Sequence, residues 1–90
     1  MSNKIRVIFF QGEDAWVAQG LERDICVQAD TLDDLYGRFE VAVRLEKDKS
    51  GKLDHIGKAP KHFFKLWDRR SGSYTPTTEY DATLEFGVAA

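Results

Sequence analysis

Five basic residues, Lys58, Lys61, Lys65, Arg69 and Arg70, are interleaved with the aromatic residues Phe63, Phe64 and Trp67. Cations that meet phosphates, combined with rings that stack on bases, are what single-stranded nucleic-acid binding requires. The same residues have a plainer use. Phe63 and Trp67 stand at i and i+4, the spacing of one helix face. An amphipathic helix would put those rings in a core and leave the lysines in water, and the spacing favours that use. The five basic residues are the candidate nucleic-acid contacts, and no catalytic, metal-binding or cofactor-binding residue is assigned.

Other chemistry finds less to build on. Hydrolysis needs paired, positioned carboxylates or a nucleophile with its base. Asp14, Glu22 and Asp24 fall in predicted turns, Asp33 and Asp34 at a predicted helix start, and Glu46 and Asp48 near its end. Turn chemistry, capping and solubility account for each of them. His55 and His62 lie outside the i, i+4 spacing that aims two imidazoles from one helix face at a metal. The single cysteine, Cys26, falls inside a predicted strand, where a buried thiol acts as a small hydrophobe. It also excludes an internal disulfide framework. The seven glycines are scattered and form no phosphate loop. The chain is therefore expected to be a binding module and not an enzyme, with no cofactor.

Ninety residues, 42% of them hydrophobic and 31% charged, fit one folded domain spanning 1–90. So small a domain buries a limited share of its surface, which dimerisation would relieve. The formal net charge of −2 conceals an asymmetry: between Arg44 and Arg70 there are nine basic and four acidic residues, with acidic segments on either side. A basic middle is compatible with an anionic partner or with an ordinary solvated surface. The apolar run Ile5–Phe10, interrupted by Arg6, is too short for a secretory leader. No segment approaches the roughly 18 apolar residues of a membrane span, so a cytoplasmic protein is expected.

Lys4–Gln11, Ala15–Gly20 and Ile25–Ala29 read as three strands joined by short turns, an antiparallel meander. In the second, Trp16 and Ala18 share one face, Val17 and Gln19 the other. Thr31 can cap a helix, with Asp34 answering as a weak capping box. Leu32, Leu35, Tyr36, Phe39, Ala42 and Val43 mark its apolar face, and it should fade near Lys47. Gly37, which costs about 1 kcal/mol in a helix interior, is read as a point of close approach to the sheet. Asp48–Lys58 is expected as loop, with a turn at Lys49–Lys52, and Pro60 should open a short helix over Lys61–Arg69. Ser71–Thr78 reads as loop, and Tyr80–Val88 alternates as a fourth strand. The fold class is α+β, in the order β-β-β-α-(α)-β, with helices largely on one face of the sheet. The third and fourth strands can pair in parallel across the helix.

Ala15-Trp16-Val17-Ala18, followed by Ile25-Cys26-Val27-Gln28-Ala29-Asp30-Thr31-Leu32-Asp33-Asp34-Leu35, resembles the HicB antitoxin family. There an aromatic opens the second strand, and a Cys-bearing third strand leads into an acidic Thr-Leu helix start. The resemblance covers Lys4–Lys47 well and the remainder loosely. It implies a truncated ribonuclease H-like fold without the nuclease carboxylates. It also implies a protein partner, a small RNA-cleaving toxin of the HicA type that the domain neutralises, and assembly as a dimer or larger oligomer. Gly20-Leu21-Glu22-Arg23-Asp24 replaces the Pro-Asp-Leu-Pro-Gly turn common in the family. No helix-turn-helix or ribbon-helix-helix segment follows the last strand, so this chain alone is not expected to bind DNA as an autoregulator. RNA or single-stranded nucleic-acid binding through residues 58–70 is the alternative.

Overall fold

The apolar side chains of the first strand point both ways, and the architecture follows from that. A computed structural model describes residues 4–51, 53, 55–76 and 83–89. Strand β1 (Ile5–Gln11) is the middle of a five-stranded sheet ordered β3-β2-β1-β5-β4. Its neighbours are β2 (Trp16–Gly20), antiparallel, and β5 (Leu84–Ala89), parallel, with Ile5 opposite Leu84 and Phe9 opposite Val88. Strand β3 (Cys26–Ala29) forms one edge and the two-residue β4 (Gly72–Ser73) the other.

Helix α1 (Leu32–Ser50) covers one face and helix α2 (Lys61–Asp68) the other. On the α1 face, Val7, Phe9, Ala18 and Phe86 pack with Leu35, Phe39 and Val43. On the α2 face, Ile8, Leu21 and Ala89 enclose Trp67. The expectation of helices on one side is therefore corrected. Alternate residues of β1 feed two separate cores, so neither face can be left to water. The expected parallel partner is corrected too: β5 lies against β1, and among the described residues β3 is an edge strand.

Local chemistry sets the ends of α1. The Thr31 hydroxyl accepts a hydrogen bond from the Asp34 backbone N–H at 3.2 Å, and Asp33 and Asp34 sit in the positive first turn. The helix runs beyond Lys47 to Ser50, where Gly51 adopts φ 78° and returns its N–H to the Lys47 carbonyl. That left-handed cap suits glycine, which has no β-carbon to clash. The turn expected at Lys49–Lys52 is thus a helix end; Lys52 lies outside the described residues.

Close packing does fall on glycines, but not on Gly37. A β-carbon at Gly37 would meet nothing within 4 Å, whereas one at Gly20 would stand 2.5 Å from the Arg23 carbonyl and 3.2 Å from the Phe39 ring. Part of the expected loop Ser71–Thr78 pairs as β4, and the expected fourth strand is observed over Leu84–Ala89. Thr77, Thr78 and the segment 79–82 of these two assignments lie outside the described residues. Among the described residues, no helix is long and apolar enough to cross a membrane.

Candidate functional site

The basic segment begins in a strap laid along the β2–β3 turn. There the Gly57 carbonyl accepts from the Asp24 N–H at 2.7 Å, and the Ala59 N–H donates to the Leu21 carbonyl at 2.9 Å. Pro60 then opens α2, as expected, and the helix presents its aromatic side to the sheet. Trp67 is only 4% exposed. Phe63 lies 5.9 Å from the Phe10 ring and 4.1 Å from His62. The Arg6 guanidinium sits over Phe64 and Trp67 at 5.4 and 5.8 Å.

Lys58, Lys61, Lys65 and Arg69 are gathered on the solvent side of this unit. Arg70 departs from them: its guanidinium lies 4.3 Å above the Trp67 ring and donates to the Trp67 carbonyl at 3.0 Å. The segment is thus a basic ridge backed by rings that already hold the helix to the sheet. It offers contacts to an anion but no exposed Trp67 face on which a base could stack.

Several of the described carboxylates are engaged in holding the fold. Glu22 accepts from both the backbone N–H and the Nε of Arg6, each at 2.7 Å. Asp24 accepts from the buried Gln19 amide at 2.8 Å. Glu40 binds Arg44 and the Tyr36 hydroxyl. Asp33 accepts from the Tyr74 hydroxyl, and Glu46 lies 3.1 Å from His55 Nε2. Burial, then that bond and the Asp33 charge, push the Tyr74 hydroxyl up to about 12. Among the described residues, no group of three or more His, Cys, Asp or Glu side chains is placed to hold a metal ion.

Cys26 is exposed on the β3 edge, which corrects its expected burial. Local desolvation, then the Asp24 carboxylate, push its thiol above the ordinary cysteine value, so the nucleophilic thiolate is disfavoured. Beside it a cleft of about 420 Å³ opens between β3 and the second half of α1, with Ile25, Ala42, Leu45 and Ile56 as its apolar lining. Asp24, Glu46 and Lys49 stand at the same cleft. Sequence reasoning did not find this surface. Its one available signal was the apolar Leu45 outside the α1 stripe, which is 56% exposed.

No protein family, curated protein or solved structure matches the chain.

Proposed function

We propose that this chain is a non-catalytic protein-binding domain of the HicB antitoxin type, which neutralises a small RNA-cleaving toxin by direct contact in the cytoplasm. The observation that carries this reading is how the residues of the resemblance fold. Ile25–Leu35 forms an edge strand that passes through the Thr31 cap into α1. Two further features support it. The meander has its first strand paired in parallel with the returning strand, an arrangement suited to a ribonuclease H-like domain. Among the described residues, Glu22, Asp24, Asp33 and Glu40 are held apart by Arg6, Gln19, Tyr74 and Arg44. Function then rests on surface, and the cleft between β3 and α1 is one concave, partly apolar part of it.

The deciding experiment is affinity capture of the tagged chain from its native cytosol, followed by an RNA-cleavage assay on any small basic protein recovered. A stoichiometric partner whose RNA cleavage stops on adding this chain is the expected result. A partner that cleaves equally fast with and without the chain would overturn the antitoxin assignment.

The exposed ridge of Lys58, Lys61, Lys65 and Arg69 favours a second reading, RNA or single-stranded nucleic-acid binding through phosphate contacts. Such binding weakens steeply with salt as counterions are released. Charge reversal at Lys61, Lys65 and Arg69 would abolish it; unchanged binding in that variant counts decisively against it.

A further inference from the structure

Several cations of this chain are spoken for inside the fold: Lys4, Arg6, Arg44 and Lys49 each pair with a glutamate. Among the described residues, Lys58, Lys61, Lys65 and Arg69 make no such pair, and all four are exposed. Lys61, Lys65 and Arg69 recur every fourth residue, about 6 Å of helix axis per step, close to the spacing of successive phosphates on a nucleic-acid strand. Asp68, the single acid of α2, stands at its last position. The surplus of positive charge therefore lies towards the first half of the helix, beside Lys58, Lys61 and Lys65.

Rings reach the surface at that same end. Trp67 is enclosed by the sheet, but Phe10 and Phe63 are half-buried and His62 is exposed. Their centroids step from Phe10 to Phe63 in 5.9 Å and from Phe63 to His62 in 4.1 Å, a short stair from sheet to solvent. The sheet extends this platform. Phe10 stands opposite Val17, and Val17 opposite Gln28. Directly opposed residues share a face, so the three form one row across β1, β2 and β3. Helix α2 packs on β1 and β5. The outer part of the row stays open, with Val17 half-buried and Gln28 exposed.

We infer that the first half of α2 and this open row bind single-stranded nucleic acid through its bases as well as its phosphates. Bases stack on the rings of His62, Phe63 and Phe10, while the backbone runs along Lys58, Lys61 and Lys65. The Gln28 amide, with donors and an acceptor, meets base edges at the outer end of the row. The inference rests on the nucleic-acid reading above and adds what that reading lacks, a reason for a single strand. A ridge of cations holds any polyanion, a duplex included; exposed rings select bases that are free to stack.

The test uses the full chain and two single-stranded probes of about ten nucleotides, oligothymidylate and a strand of equal length built of abasic residues. Both carry the same phosphates, and only the first carries bases. At low salt oligothymidylate should bind about tenfold tighter or better, roughly the worth of one stacked base. His62→Ala alters an exposed ring, and Phe63→Leu keeps an apolar contact for Phe10. Each should reduce the advantage of oligothymidylate several-fold and leave abasic binding as it was, with the circular dichroism spectrum intact. Equal affinity for the two probes would overturn the inference and leave the phosphate-contact reading standing. Oligothymidylate binding unchanged in both variants would also overturn it, as would equal affinity for oligothymidylate paired with its complement. The absence of salt-sensitive binding to either probe would remove the inference together with the reading it rests on.

Discussion

The Trp67 ring lies directly on the backbone of Gly87: a β-carbon there would stand 2.8 Å from the ring's Cζ3 and 2.6 Å from the side chain of Arg70, whose guanidinium stacks on that ring. One glycine in β5 thus lets α2 dock. Gly87→Ala should push Trp67 out of its seat and destabilise the fold by about 1–3 kcal/mol, the usual penalty for overpacking. Chemical denaturation checks it, and an unchanged midpoint would mean that α2 docks without needing this contact.

Gly37 should behave in the opposite way. Alanine there meets no neighbour and stiffens the unfolded chain, so Gly37→Ala is expected to stabilise the monomer by about 0.5–1 kcal/mol. Chemical denaturation of the variant beside the parent checks it, and a lowered midpoint would mean that Gly37 is needed where it stands.

At the start of α1, Thr31→Ala removes the acceptor for the Asp34 N–H and should cost about 1 kcal/mol. Thr31→Ser keeps that acceptor and should recover most of the loss in the same denaturation experiment.

The hydroxyl of Tyr74 predicts a pH dependence at the alkaline end. Its folded value is raised from 10.0 to about 12 by burial and by Asp33, so folding favours the neutral phenol. The associated stabilisation is fully present below pH 10 and is lost as pH rises through 12. Tyr74→Phe should therefore have a flatter stability profile than the parent between those values. Asp33→Asn, which removes the carboxylate charge, should bring the tyrosinate absorbance of Tyr74 to a lower pH.

The burial of Trp67 bears on nucleic acid. On a Trp16→Phe background, adding a single-stranded oligonucleotide should leave the Trp67 emission unchanged, because its ring is only 4% exposed. Quenching by the oligonucleotide would mean that α2 lifts from the sheet to offer a stacking platform.

Much of this was readable from local pattern. The three meander strands fall within a residue of their expected starts, and Thr31 caps the helix because hydroxyl and amide are neighbours in the chain. The second face was written in Ile5–Phe10 as well. Val7 and Phe9 alternate with Ile8 and Phe10, and a strand apolar on both sides needs cover on both. Less legible was anything set by partners distant in sequence. Gly72 and Ser73 carry no strand signal of their own, and they pair only because Val88 and Gly87 are already in place. Gly37 and Gly87 look alike in a sequence; only the position of Trp67 separates them. The basic segment kept its predicted helix and lysine ridge, while the ring-over-cation stack of Arg70 on Trp67 depended on the docking of α2.

The parallel pairing of β1 with β5 has a bearing on how the chain comes off the ribosome. The first strand to emerge must wait for the last to fill the centre of the sheet, so β1, β2, β3 and α1 can assemble early only as a half-sheet with β1 open along one side. Until Leu84–Ala89 arrives, that open side is a run of Ile, Val and Phe with unsatisfied peptide groups, the kind of surface that chaperones hold and that aggregates recruit. Synthesis of this domain should therefore be most vulnerable in the interval before its final strand clears the exit tunnel, and a chain stalled just short of Leu84 should be captured by trigger-type chaperones far more readily than the finished one.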